Sequence, residues 1–465
     1  MVYSHVMYVF LRSRQLTFAA GFLLLAFALR AESPIVLKQA QIGKWQQVER
    51  ANWSRYDNGS YTGLTHRETR AFLTAERLSG GGSRFTGHYY VLEETLRDMV
   101  KAARGVDAVE KASFVILPDG TTRPEDASPF PYLRNFPAFP AQPVSPGDRW
   151  QSEGIRVVDP RGDGKRSPLP IVVEYAFSGT EEYKGQTVYR IKAKYATRLN
   201  QYARPRGTDP DMKTATGTHD VDILVSADTG AVLLQLDRLD ETFTYADGST
   251  VRFRGNTATF GEIPAAMNAG ELIAGIEAVR TPRADGIGPK APGASGTTTP
   301  RRDESPSGAA AGTQRPSRKP VTPNADAVED FVREGLPQST ETAPFTLDST
   351  EQGLRLSVRD IRFRPDSDEI LPEEAWRIDA IAKALSLATG ATFLVEGHTA
   401  SVGKPAGEKE LSVNRAKRIV AELAARGLSE DRFLYAGHGG AKPVGDNATA
   451  AGRAQNRRVE ITILE

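Results

Sequence analysis

The chain has 465 residues, enough for two or three domains, and its 39% apolar and 25% charged content supports ordinary cores. Fifty-nine Lys and Arg oppose fifty-eight Asp and Glu, and a net charge of +1 argues against nucleic-acid binding by phosphate neutralisation. Cys is absent, which excludes disulfides, thiolate chemistry, Cys-ligated metals and acylation of an N-terminal cysteine.

Arg12 and Arg14 precede an apolar run, Leu16–Leu29, followed by Arg30-Ala31-Glu32. This pattern predicts a secretory signal peptide over residues 1–31, with an uncleaved anchor as the alternative. The apolar run is shorter than the ~20 residues of a spanning helix. The remainder is therefore expected in the periplasm or cell envelope, without a lipid anchor.

Residues 33–277 read as a β-rich periplasmic domain, open to division into two subdomains. Tyr189, Ile191, Ala193 and Tyr195 alternate with Arg190, Lys192 and Lys194, as in a half-buried strand. Glu174–Phe177 precedes them across a glycine-containing loop, which predicts a hairpin. The runs HDVDILV, AVLLQLDRLDETFTY and TVRFRG, separated by turn signals, predict an antiparallel meander. Leu92, Leu96, Met99, Val100 and Ala103 share one face of a predicted helix, with Gly105 as its cap. The Pro-rich stretch between Pro118 and Pro170 reads as loop. A membrane-spanning barrel is the weaker alternative, because helix and long loop do not fit even strands joined by short turns. His66, His88 and His219 are scattered, and no catalytic constellation is visible.

Between Thr281 and Asn324 the composition shifts to eight prolines with Ile287 and Val321 as the large apolar residues. Residues 281–324 are expected to form a disordered linker, since they cannot bury enough surface to offset ordering entropy.

In residues 325–465 the predicted order is strand, helix, strand, helix, strand, strand. Leu354, Leu356 and Val358 mark the first strand. Pro372 begins a helix carrying Trp376, Ile378, Ile381 and Leu385 on one face. ATFLVEGHTA is the second strand, and a second helix from about Glu408 ends at Gly427. DRFLYAGHG and RRVEITILE complete a four-stranded mixed sheet with two helices, an α+β domain.

The segments IRFRPDSDEILPE, VEGHTA, LSVNRAKRIVAEL, RFLYAGHGGAKPV and AGRAQNRRVEI resemble the OmpA-like peptidoglycan-binding domain of OmpA, peptidoglycan-associated lipoproteins and flagellar stator subunits. The resemblance covers about residues 353–465 and leaves the N-terminal region unassigned. It implies a pocket for the diaminopimelate end of the peptidoglycan stem peptide. An Asp in a Gly-His-Thr-Asp loop takes the ammonium, and a helix Arg takes the carboxylate. Arg415 supplies the Arg, but the loop reads Gly397-His398-Thr399-Ala400, and Glu408 replaces an Asn of the motif. Thr399, Ala400, Glu408, Leu411, Ser412, Arg415 and Arg457 are the expected ligand-binding residues. Losing one charged pair costs about 2–4 kcal/mol.

The expected function is a non-enzymatic envelope protein with weakened or altered wall binding. Glu408 supplying the missing charge is one form of that reading. The alternative is a scaffold whose module has lost peptidoglycan. Peptidoglycan and an unidentified envelope protein or membrane are the expected partners, with no nucleic acid and no cofactor. His398 and His438 flank neighbouring loops, but no third metal ligand is recognisable by spacing, so no metal is expected.

Overall fold

The computed structural model describes residues 33–94, 104–199, 204–264, 268–280, 344–359, 361–364, 367–401 and 403–464. The predicted signal peptide and linker lie outside these residues. Among the described residues, no helix is long and apolar enough to cross a membrane.

The N-terminal residues build one antiparallel sheet of twelve strands, in the order β6-β5-β3-β2-β1-β13-β12-β11-β10-β9-β8-β7. The first strands are β1 (Gly43–Asp57), β2 (Ser60–Arg77), β3 (Ser83–Glu94), β5 (Ala108–Ile116), β6 (Thr122–Pro124) and β7 (Leu133–Arg134). Next come β8 (Arg149–Val158), β9 (Ser167–Tyr183), β10 (Gln186–Leu199), β11 (Met212–Ser226), β12 (Val232–Tyr245) and β13 (Thr250–Glu262). The predicted hairpin is β9–β10, with Tyr175 opposite Ala193, and the predicted meander is β11–β12–β13. The Pro-rich stretch is less loop-like than its composition suggests, since it contains β6, β7, β8 and the start of β9.

Alternation along these strands separates two faces. Ile171, Val173, Tyr175 and Phe177 of β9 point into a buried core, joined by Ile191 and Ala193 from β10, while Leu169 enters the neighbouring core with Met212 and Phe243. On the other face, Arg190 pairs with Glu181 at 2.8 Å, Lys194 with Asp220 at 3.4 Å and Arg252 with Asp240 at 2.6 Å. The interior is mostly apolar but also buries a charged cluster, in which Arg156 pairs with Glu241 and His219 Nδ1 lies 2.9 Å from Asp237. The ion pairs on the outer face differ from the apolar band of a lipid-facing barrel. The sheet curls until its ends meet. Thr122 of β6 donates its backbone N–H to Asn135 Oδ1 at 2.7 Å, and Asn135, just past β7, donates its own to Thr122 Oγ1 at 3.1 Å.

The second sheet has six strands, in the order β14-β15-β18-β16-β17-β4. They are β4 (Arg104–Gly105), β14 (Thr346–Thr350), β15 (Gly353–Arg359), β16 (Thr392–His398), β17 (Phe433–Gly437) and β18 (Arg458–Leu464). The four strands read from the sequence form its centre, and β16–β17 is the parallel pair among them. The helices are α1 (Ala269–Arg280), α2 (Ala375–Ser386), α3 (Pro405–Ala425) and α4 (Ala450–Asn456). Ile378, Ile381 and Leu385 of α2 and Ile419, Val420 and Leu423 of α3 pack over Phe393, Val395 and Ile461 of the sheet. Leu272 and Ile276 of α1 belong to the same core.

The opposite face of this sheet is covered by the barrel wall. Leu394, Leu434 and Leu464 pack against Phe72, Tyr90 and Leu92, which point outward from β2 and β3. Beside this patch, Glu68 is buried between Arg50 at 2.9 Å and Arg70 at 2.6 Å. Strand β4 pairs in parallel with β17 and covers its otherwise open edge. The two ends of the predicted 92–103 helix are corrected: Leu92 lies in β3, and Gly105 pairs with Tyr435 rather than capping a helix. Leu92 satisfies both helical and extended periods, and its burial against the second sheet goes with the extended one. Residues 95–103 lie outside the described residues.

Candidate functional site

The residues singled out in the C-terminal sequence gather at one end of the six-stranded sheet. Strand β16 ends at His398 and leads into Thr399 and Ala400, both buried. Thr399 donates its N–H to Gly439 O at 2.9 Å, which ties this loop to the one after β17. Ser412 holds the same place from the helix side. Its Oγ donates to Lys409 O at 2.7 Å and accepts from Gly439 N at 2.9 Å. Helix α3 approaches the strands closely because Gly397 and Gly437 lie beneath it, where a Cβ would run into Ser412. Ser412 is thus a brace, and Leu411 beside it is half-buried.

Glu408 is buried in the first turn of α3 and accepts the Lys404 N–H at 3.2 Å, so it caps its own helix. The close packing of Gly439 and Gly440 against it sets its carboxylate beside the Ala400–Ser401 loop. Arg415, almost two turns further along α3, reaches the loop before α2. Its Nε donates to Ser367 O at 3.2 Å, and its guanidinium lies 4.6 Å from the centre of the Phe363 ring. Arg457 is exposed just after α4. The buried residues there are Asn456, which binds Val444 N–H and Gly445 N–H through Oδ1, and Arg458, which pairs with Glu460 at 2.6 Å.

Periodicity had no means to find Phe363, Ser367, Gly439 or Asn447, whose Oδ1 accepts the Ser401 N–H at 3.1 Å. They lie on loops; the motif text covered Phe363, Ser367 and Gly439, whereas Asn447 falls between the matching segments.

Below this loop cluster is a charged group on the barrel-facing side of the sheet. His438 Nε2 lies 2.7 Å from Glu396 Oε1, and Lys442 Nζ is 3.3 Å from the same oxygen. Burial works to raise the Glu396 carboxyl, but His438 and Lys442 outweigh it and hold it at about 2. His398 stacks on His438 with ring centroids 5.1 Å apart. Burial, then the nearby Arg458 and His438 charges, push His398 down to about 3. Among the described residues, no group of three or more His, Cys, Asp or Glu is placed to hold a metal ion.

The OmpA family model matches residues 362–457, the stretch that supplies this loop cluster. The C-terminal module is an OmpA domain. The family model does not extend to the residues before it. Outer membrane porin F of Pseudomonas fluorescens is 36% identical over 104 residues, 22% of this chain and 32% of that protein. The peptidoglycan-binding protein ArfA of Mycobacterium bovis is 34% identical over 103 residues, 22% of this chain and 32% of that protein. A solved structure, the cell wall anchor of the T6SS from Pseudomonas aeruginosa, is 28% identical, covering 26% of this chain and 87% of that one with a TM-score of 0.24. The chain spans about a third of the length of that porin and of ArfA. The matched relatives of the OmpA module are outer-membrane and cell-envelope proteins.

Proposed function

We propose that this is a non-enzymatic cell-envelope protein whose OmpA module holds the peptidoglycan stem peptide through a one-sided clamp. The observation that carries this reading is Arg415, preset by the Ser367 carbonyl and the Phe363 ring at the module's loop end. A guanidinium held in this way loses little freedom when it takes a carboxylate. The opposite side of the clamp is apolar at Ala400, which is 7% exposed. Glu408 is the acidic group beside that loop, with one oxygen engaged by the Lys404 N–H. The stem-peptide ammonium is therefore met less directly than an Asp at position 400 would meet it, and binding is weakened or altered accordingly.

The test is co-sedimentation of the full chain with purified peptidoglycan, one sample containing diaminopimelate and one from the native organism. The full chain is needed because Leu272 and Ile276, before the linker, complete the module's core. Arg415→Ala should weaken retention by tenfold or more with an unchanged circular dichroism spectrum. Ala400→Asp should strengthen retention on the diaminopimelate wall by tens of fold. If the wild type is retained by neither wall while Ala400→Asp is, the module is a scaffold and the clamp is silent.

A further inference from the structure

We propose that the barrel interior holds a binding site for a small amphiphile, a ring-sized or short-alkyl body bearing a hydroxyl or amine that donates hydrogen bonds. A cavity of about 140 Å³ lies between the inner faces of β1, β2, β3 and β5 and the segment around β7. A dry cavity of ~150 Å³ is enough to hold benzene.

Its body is aromatic. Phe85 stacks on Phe114 with centroids 5.4 Å apart, and Phe130 stacks on Tyr89 at 4.1 Å; all four line the space. Phe130 and Tyr132 belong to the segment that closes the barrel, and Arg67 anchors it by donating to Tyr132 Oη at 2.8 Å.

The polar end supplies the second, independent observation. Gln41 is 1% exposed and lines the cavity; its Nε2 donates to Ile42 O at 3.1 Å, yet its Oε1 has no hydrogen-bond partner. Thr69, 5% exposed, lines the same space, and its Oγ1 is also without a partner. A buried amide oxygen without a donor is destabilising, so the site favours a guest that brings one. Glu49 stands in the same wall, where burial raises its carboxyl in spite of Arg67 and Arg156 nearby. Gln41 Oε1 can only accept and Thr69 Oγ1 can accept as well as donate, so a guest that brings an O–H or N–H donor is favoured over a carboxylate, which brings none.

The experiment titrates the full chain with benzyl alcohol, benzylamine, toluene and benzoate by calorimetry. Saturable one-to-one binding of the alcohol or the amine is expected, at least tenfold tighter than toluene or benzoate. Gln41→Leu should erase that preference, and Glu49→Gln should weaken the amine alone if its charge is read. Filling the space by Ala71→Phe, or by Ala231→Val should the first variant misfold, should abolish binding with the fold intact. No saturable binding, or binding unchanged in the filled variants, would overturn the proposal and leave ordered water as the partner of Gln41 and Thr69.

Discussion

His398 shows how a motif residue behaves once it is buried. It is 3% exposed, and neither ring nitrogen has a hydrogen-bond partner. Its pKa in the folded protein is about 3, against ~6.5 in an unfolded chain. As pH falls through that window the unfolded chain takes up a proton that the folded one refuses. Stability is therefore complete above ~6.5 and declines below it, with a slope of about 1.4 kcal/mol per pH unit from this residue. His88, also lowered by burial, acts in the same direction. Denaturant titrations between pH 6.5 and 5 should show the decline, and His398→Phe should flatten it. An unchanged slope in that variant would show that His398 is protonated in the fold. The residue identities at this site were legible as motif text, and Arg415 and Ala400 were named from it. Their surroundings were not, because Phe363 and Ser367 meet Arg415 only after the chain has returned to α3.

Among the elements, α1 departs most from its apparent place in the chain. It follows directly on the β-rich region, yet Leu272 and Ile276 pack in the core of the OmpA module. Ile276 is fully buried, so Ile276→Ala should destabilise the module by about 2–5 kcal/mol, measured by denaturant unfolding. Little or no loss would mean that α1 only rests on the surface of α2. The strands and helices of the module were readable one by one because each keeps a clean period of 2 or 3.6. What period cannot reveal is a second covered face. Leu394 and Leu434 alternate with Phe393 and Phe433, and both faces are apolar because helices cover one and the barrel the other.

At the scale of the whole molecule, among the described residues no ladder joins the ends of the twelve-stranded sheet, which meet through side chains and through the Phe139 N–H donating to Asp119 O at 2.8 Å. Asn135 sits at φ 55, a left-handed conformation that Asn tolerates, and exchanges two hydrogen bonds with Thr122. Arg166 adds a second tie to Glu110 of β5 at 2.9 Å. Asn135→Ala should cost about 1–3 kcal/mol and speed hydrogen exchange at the amides of β6 and β7 while sparing β11 and β12. Uniform acceleration would mean that the closure is not local. Composition and alternation by themselves determined the strand-rich and mixed regions and the absence of thiol chemistry, while the resemblance carried by the loop text supplied the candidate clamp residues. The curl of the sheet, the docking of the module on its wall and the convergence of Gln41, Thr69 and Glu49 on one cavity were decided by tertiary structure. Alternation states which residues share a face; only the pairing of distant strands determines what covers it.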